Sequence, residues 1–413
     1  MEFKRFKLKN GLSVIVHHDK STPMVAVNIL YKVGARNETP ERTGFAHLFE
    51  HLMFGGSANI PDFDGPLENA GGDNNAFTNS DITNYYITIP KENLETAFWL
   101  ESDRMLNLAF TPKSLEVQRQ VVIEEFKQSY LNQPYGDVWL LLKPLAYKTH
   151  PYQWNTIGKD ISHIEKASME EVKAFYQKFY NPNNAIMVLS GNISAEEAEP
   201  LVEKWFGDIP KGADYTLDIP QEPLQTTSRQ QSVERDVPSD ALYMAFPMYP
   251  RLHADYQATD LLSDVLSNGS SARLNRRLIK EQAIFSELDA FLSGDKDAGL
   301  FLFQGKPSEG ISLEQAEKAL WKEIELIKTE TIASEELQKV KNKLESTMIF
   351  GEVSVLNKAM QLAYYEFIDT AENVNMEAEK YQQVSAQQIQ RIAQELFVPE
   401  KSNTLYYRSN KQQ

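Results

Sequence analysis

Residues 168–182 read SMEEVKAFYQKFYNP, and residues 385–399 read SAQQIQRIAQELFVP. Ser168 aligns with Ser385, Val172 with Ile389, Phe179 with Leu396 and Pro182 with Pro399. The first copy predicts a helix opened by Ser168, with Glu171 three residues on as its capping partner. Asn181-Pro182-Asn183-Asn184 stops that helix, and residues 185–189 enter a short buried strand. A second pair of matching segments lies upstream in each half: HLFEHLMFGGS (47–57) falls over DLLSDVLSNGS (260–270), His47 on Asp260 and Gly56 on Gly269. Two separate matches at nearly one displacement predict a duplicated fold unit. The expected division is a first domain over 1–211, a linker over 212–228 carrying Pro220 and Pro223, and a homologous second domain over 229–413.

Other elements follow from periodicity. Leu12, Val14 and Val16 share one face of a strand, and MVAVNILYKV (24–33) is a second, rich in β-branched residues. Residues 43–54 carry apolar side chains at 45, 48, 49, 52 and 53, a helical period ended by Gly55-Gly56. Residues 77–89 read as one strand, and 94–108 and 115–131 as helices. Strands and helices mix without a strict βαβ rhythm, so the expected class is α+β in two homologous tandem domains.

Composition narrows the function. The 413 residues are 42% hydrophobic and 24% charged, enough for a substantial core. Lys and Arg total 42 against 58 Asp and Glu, a formal charge of −16. Neither nucleic acid phosphates nor an anionic membrane surface suits that balance. No long apolar run suggests a signal segment or a bilayer span, and the expected location is cytoplasmic. The absence of cysteine excludes disulfides, thiolate metal sites and cysteine nucleophiles. A metal here is held by His, Asp or Glu.

Of seven histidines, His47 and His51 form the one pair at i,i+4 spacing, with Glu50 between them. Residues three and four apart share a helix face, so both imidazoles converge on one point beside the Glu50 carboxylate. This is the H-x-x-E-H pattern of inverted zinc hydrolases. Imidazole nitrogens suit Zn²⁺, and a catalytic site takes a third protein ligand while leaving one position for water. Without cysteine, that third ligand is expected to be a carboxylate. The second-half counterpart keeps the helix but has Asp260, Ser263 and Asp264 at those positions. His150 and His163, lacking i,i+4 partners, read as hydrogen-bonded structural residues.

With HLFEH at 47–51 as its most specific part, the sequence resembles the pitrilysin/insulysin family of zinc peptidases, which includes the mitochondrial processing peptidases. The resemblance implies two domains, each an antiparallel-rich sheet packed with helices, and one Zn²⁺ per chain. It assigns His47 and His51 as metal ligands and Glu50 as the catalytic base. In QRQVVIEEF (118–126) it aligns Glu125, rather than its neighbour Glu124, with the family's distal ligand. The family often has a Glu where this chain has Gln118, an uncharged group that can still hydrogen-bond.

The resemblance also assigns Asn75, Ala76, Phe77 and Thr78 to an edge strand that pairs with the substrate backbone, a mode that accepts any extended peptide. Family members draw an Arg and a Tyr from the second half to grip substrate. In LIKEQAIFS (278–286), Ile279 and Ser286 occupy those places, and no tyrosine occurs from 257 to 363. In two-subunit relatives an inert partner supplies that pair. The expectation is therefore a metalloendopeptidase subunit of a dimeric chamber, its partner a different family chain or, failing that, a second copy. The rival is a non-catalytic assembly subunit.

Overall fold

The computed structural model describes residues 1–294 and 296–411. Its chain forms two compact units. The first is Met1–Ser129, Trp154–Pro220 and Ile349–Asn375; the second is Tyr130–Gln153, Gln221–Met348 and Met376–Gln413.

The first unit is built on a six-stranded sheet: β1 (Lys4–Lys7), β2 (Ser13–His18), β3 (Met24–Tyr31), β4 (Asp73–Thr78), β5 (Thr83–Pro90) and β6 (Ala185–Gly191), in the order β1-β2-β6-β3-β5-β4. Only β2 and β6 pair in parallel. The near-continuous apolar run of β3 has a simple cause: it is covered on both faces. Ala26 and Leu30 meet Ala359, Leu362 and Ala363 of the Val355–Ile368 helix. Tyr31, on the opposite face, packs edge-on against Tyr85 and beside Tyr180.

The second unit holds β7 (Arg229–Arg235), β8 (Ala241–Pro247), β9 (Phe285–Ser293), β10 (Leu300–Pro307) and β11 (Asn403–Ser409), in the order β7-β11-β8-β10-β9. Strand for strand this repeats β2-β6-β3-β5-β4, including the single parallel pair, β7 with β11. The two serine-capped helices, Met169–Phe179 and Ala386–Leu396, each precede the strand central to that parallel pair. Ser168 and Glu171 form the reciprocal capping box expected of them. The duplication is thus visible in strand order and pairing direction, and the fold is α+β.

Two expectations need correction. The linker over 212–228 has no regular structure, as expected, but the units do not divide cleanly at it. Helix Val138–Ala146, from the first half of the sequence, fills one face of the second sheet through Val138, Leu142 and Ala146. Helix Val355–Ile368, from the second half, covers the first sheet. Each sheet needs apolar cover on two faces, and each takes one of those covers from the other half of the chain. The predicted single strand over 77–89 is a hairpin. Asn79 Oδ1 accepts from the amides of Asp81 and Ile82 at 2.8 and 2.9 Å, turning the chain between Thr78 and Thr83. Among the described residues no helix is long and apolar enough to cross a membrane.

Candidate metal centre

The helix Phe45–Phe54 carries the HxxEH motif. Its underside is apolar and buried: Phe45, Ala46, Leu48, Phe49, Leu52 and Met53. Phe49 stacks on Phe175 and Tyr180 at ring-centroid distances of 5.2 and 5.0 Å, and Tyr85 Oη donates to the Phe49 carbonyl at 3.2 Å. Each large apolar side chain buried this way is worth about 1.5–3 kcal/mol, which fixes the helix's roll and sends His47, Glu50 and His51 the other way.

Both helix ends are pinned. At the start, Gly44 adopts φ +89° and lies so close to Ile157 that an added Cβ would stand 2.7 Å from its carbonyl oxygen. At the end, a Cβ on Gly55 would stand 3.1 Å from Ser114 Oγ and 3.7 Å from Gln118 Nε2. That small residue lets the Pro112–Phe126 helix approach. The latter is capped by Thr111, whose hydroxyl accepts from Ser114 N at 3.0 Å, and it starts on proline. Arg119 ties its middle to the carbonyls of Ile164 and Ala167 at 3.1 and 2.6 Å.

The outcome is a three-residue cluster. Glu125 Oε1 lies 3.6 Å from His47 Nε2, and Oε2 lies 3.3 Å from His51 Nε2. One ligand atom from each residue falls within 4.8 Å of the other two, and this is the one such His/Asp/Glu group among the described residues. The imidazoles stand edge to face at 4.8 Å. Glu124 points elsewhere, pairing with Lys127 at 2.7 Å. Burial pushes the His47 pKa down, opposed by the charges of Glu125 and Glu50 and reinforced by His51. The Glu125 carboxyl is held below its usual range, first by the hydrogen bond from His51. A free imidazole nitrogen and an ionised carboxylate are the states a divalent ion requires. Two nitrogens and one carboxylate oxygen, converging from two helices, fit Zn²⁺ with a position left open. The far nitrogen of His47, Nδ1, is buried without a protein partner.

The segment 75–78 lies in β4, the outer edge of the first sheet. Its residues alternate in exposure, with Asn75 and Phe77 exposed and Ala76 and Thr78 half-buried. In the second unit, Ile279 packs against the core and Ser286 Oγ bonds the Lys306 carbonyl. Arg277 is engaged by Glu323 at 3.0 Å and Glu330 at 3.6 Å. Asp260, at the position matching His47, accepts instead from Tyr381 Oη at 2.5 Å. His163 Nδ1 accepts from Thr43 N at 3.1 Å, and His150 Nε2 lies 3.3 Å from Asp297.

One residue near the centre escapes sequence reading. Glu38 is buried, and its two oxygens accept from Gly44 N at 2.9 Å and Ala46 N at 2.8 Å. Burial pushes its pKa up to about 8, against the pull of those amides and of Trp154 and Phe45. A clue lay in Gly44: glycine has no side chain with which to cap the helix it starts.

An HxxEH helix with a distal glutamate, on a duplicated α+β unit, defines an inverted-motif metallopeptidase class. Comparison with known proteins identifies the family. Residues 13–157 match the insulinase model of peptidase family M16, and 166–344 match the M16 inactive-domain model. The chain belongs to peptidase family M16. It is 29% identical over 405 residues to zinc protease PqqE of Helicobacter pylori, covering 97% of this chain and 91% of the relative. A solved protease from Helicobacter pylori superposes with a TM-score of 0.93 at 28% identity, over 98% of this chain and 99% of that one. A probable mitochondrial-processing peptidase subunit beta of Schizosaccharomyces pombe is 27% identical over 308 residues, 71% of this chain and 67% of its own.

Proposed function

We propose that this chain is a zinc-dependent endopeptidase of peptides and unfolded polypeptides, with His47, His51 and Glu125 holding the ion and Glu50 as general base. The convergence of those three ligand atoms within 4.8 Å carries the reading. Zn²⁺ held there would supply Lewis acidity, acidifying a water and polarising the scissile carbonyl. Glu50 stands three residues after His47 on the same helix, and its charge is felt at His47. From that position it takes the proton of the attacking water and returns it to the departing amine. The free edge of β4, at Asn75, Ala76, Phe77 and Thr78, receives an extended substrate through main-chain hydrogen bonds.

The engaged Arg277 and the absence of tyrosine from 257 to 363 support a second family subunit that completes the substrate grip. Those same observations favour one alternative, a scaffold subunit that binds the ion without turnover. Hydrolysis of quenched fluorescent peptides by the purified chain with zinc separates the two, using Glu50→Gln as control. The expected loss in the variant is about 10²–10⁴-fold with one zinc retained. Equal rates in parent and variant sink the Glu50 assignment. Zinc binding without turnover, and none restored by any family partner, favours the scaffold.

A further inference from the structure

We infer that Glu38 is a positioning residue for the metal centre: it caps the motif helix from outside and so fixes His47 against His51 and Glu125. The inference rests on the metallopeptidase reading above.

A helix leaves its first amides without intrahelical partners, and a buried start needs those donors satisfied. The motif helix starts buried, with Thr43, Phe45 and Ala46 each no more than 3% exposed and Gly44 at the cap position. Gly44 cannot cap, and its closeness to Ile157 explains why no larger capping residue stands there. The missing acceptor comes from six residues earlier. Glu38 reaches in and takes Gly44 N on one oxygen and Ala46 N on the other.

A second set of bonds holds the same turn. Thr43 Oγ1 accepts from Lys159 N at 3.0 Å, and Thr43 N donates to His163 Nδ1 at 3.1 Å. Gly158, with φ +99°, packs so closely on the Thr43 carbonyl that a Cβ would stand 3.1 Å from it. The entry to the helix is therefore held both by the 157–163 segment and by Glu38.

The position of His47 makes this hold matter. It is the third residue of the helix, inside the turn that frays first when a cap is lost, whereas His51 lies a full turn deeper. Loosening the cap displaces one ligand relative to the other two. Residues that orient metal ligands typically shift affinity by about 10–100-fold when removed.

The test uses the full chain, with metal affinity and the visible spectrum of the Co²⁺-substituted protein as readouts independent of turnover. Glu38→Ala is expected to weaken Zn²⁺ and Co²⁺ binding by about tenfold or more and to alter the Co²⁺ ligand-field bands. Glu38→Gln keeps side-chain length and one acceptor, so its affinity should fall measurably below the parent's while staying above that of Glu38→Ala. Leu189→Ala, a buried change in β6, controls for lost stability alone and leaves affinity and spectrum at parent values. If Glu38→Ala does not fold, Glu38→Gln decides, through faster hydrogen exchange at Gly44 and Ala46 together with weaker metal binding. Parent-like affinity and spectrum in a folded Glu38 variant overturn the inference, as does equal weakening by Leu189→Ala. A parent chain that binds no divalent ion overturns the metallopeptidase reading itself, a separate failure.

Discussion

Replacing Glu38 with glutamine should change how stability depends on pH. In the folded chain, burial raises this carboxyl from an ordinary 4.5 to about 8. Between those values the folded state keeps a proton that the unfolded chain releases, so stability falls as pH rises through this window. The contribution is complete below about pH 4.5, lost progressively toward pH 8, and flat beyond. Full linkage across pH 5 to 8 gives a ceiling of about 4 kcal/mol from this one group. Glutamine does not titrate, and it leaves the other ionisable groups in place. Urea unfolding of parent and Glu38→Gln at pH 5, 6.5 and 8.5, with chelator present, isolates the term as a difference. The parent's stability relative to the variant should decline with pH, by up to about 4 kcal/mol. A difference that is flat with pH refutes the reasoning that burial outweighs the amides of Ala46 and Gly44 at this carboxyl. A difference that grows with pH reverses its sign.

Three other outcomes are expected. Glu125→Gln should weaken zinc binding by at least about tenfold, while Glu124→Gln, altering a residue paired with Lys127, leaves it unchanged in a competition titration. Leu362→Ala opens a cavity between the Val355–Ile368 helix and the first sheet, and should cost about 2–5 kcal/mol in denaturant unfolding. Asn79→Ala strips two turn amides of their acceptor; thermal unfolding should report a loss of about 1–3 kcal/mol and peptide binding at β4 should weaken.

Much of this could be read from the sequence, because the relevant signals are local. A serine cap, an apolar helical stripe and a terminal proline recur in both halves, so the duplication shows without any knowledge of strand order. His47 and His51 are adjacent on one helix, and spacing alone puts them together. Glu125 needed a resemblance, because bringing one helix onto another depends on Gly55 and on the anchoring of Arg119, neither of which announces itself locally. The hairpin at 79–82 was hidden by the apolar alternation on either side of it. Glu38 looks like a solvated loop residue beside Thr39 and Pro40, and its role depends on how the chain folds back on Gly44. The destination of the 355–368 helix was equally silent, since an amphipathic stripe says that a face is buried but not against what.

That helix, with its counterpart at 138–146, has a consequence for how the protein could be taken apart. A cut in the 212–228 segment yields two fragments, each lacking one helix that covers its sheet. The N-terminal fragment would leave Ala26, Leu30 and Val188 facing water, and the C-terminal fragment would leave Leu242's neighbours Ala241 and Tyr243 bare. Neither piece is a finished protein, yet mixed together each carries the cover the other lacks. The two halves of the sequence are thus tied together by two exchanged helices and not by the linker alone.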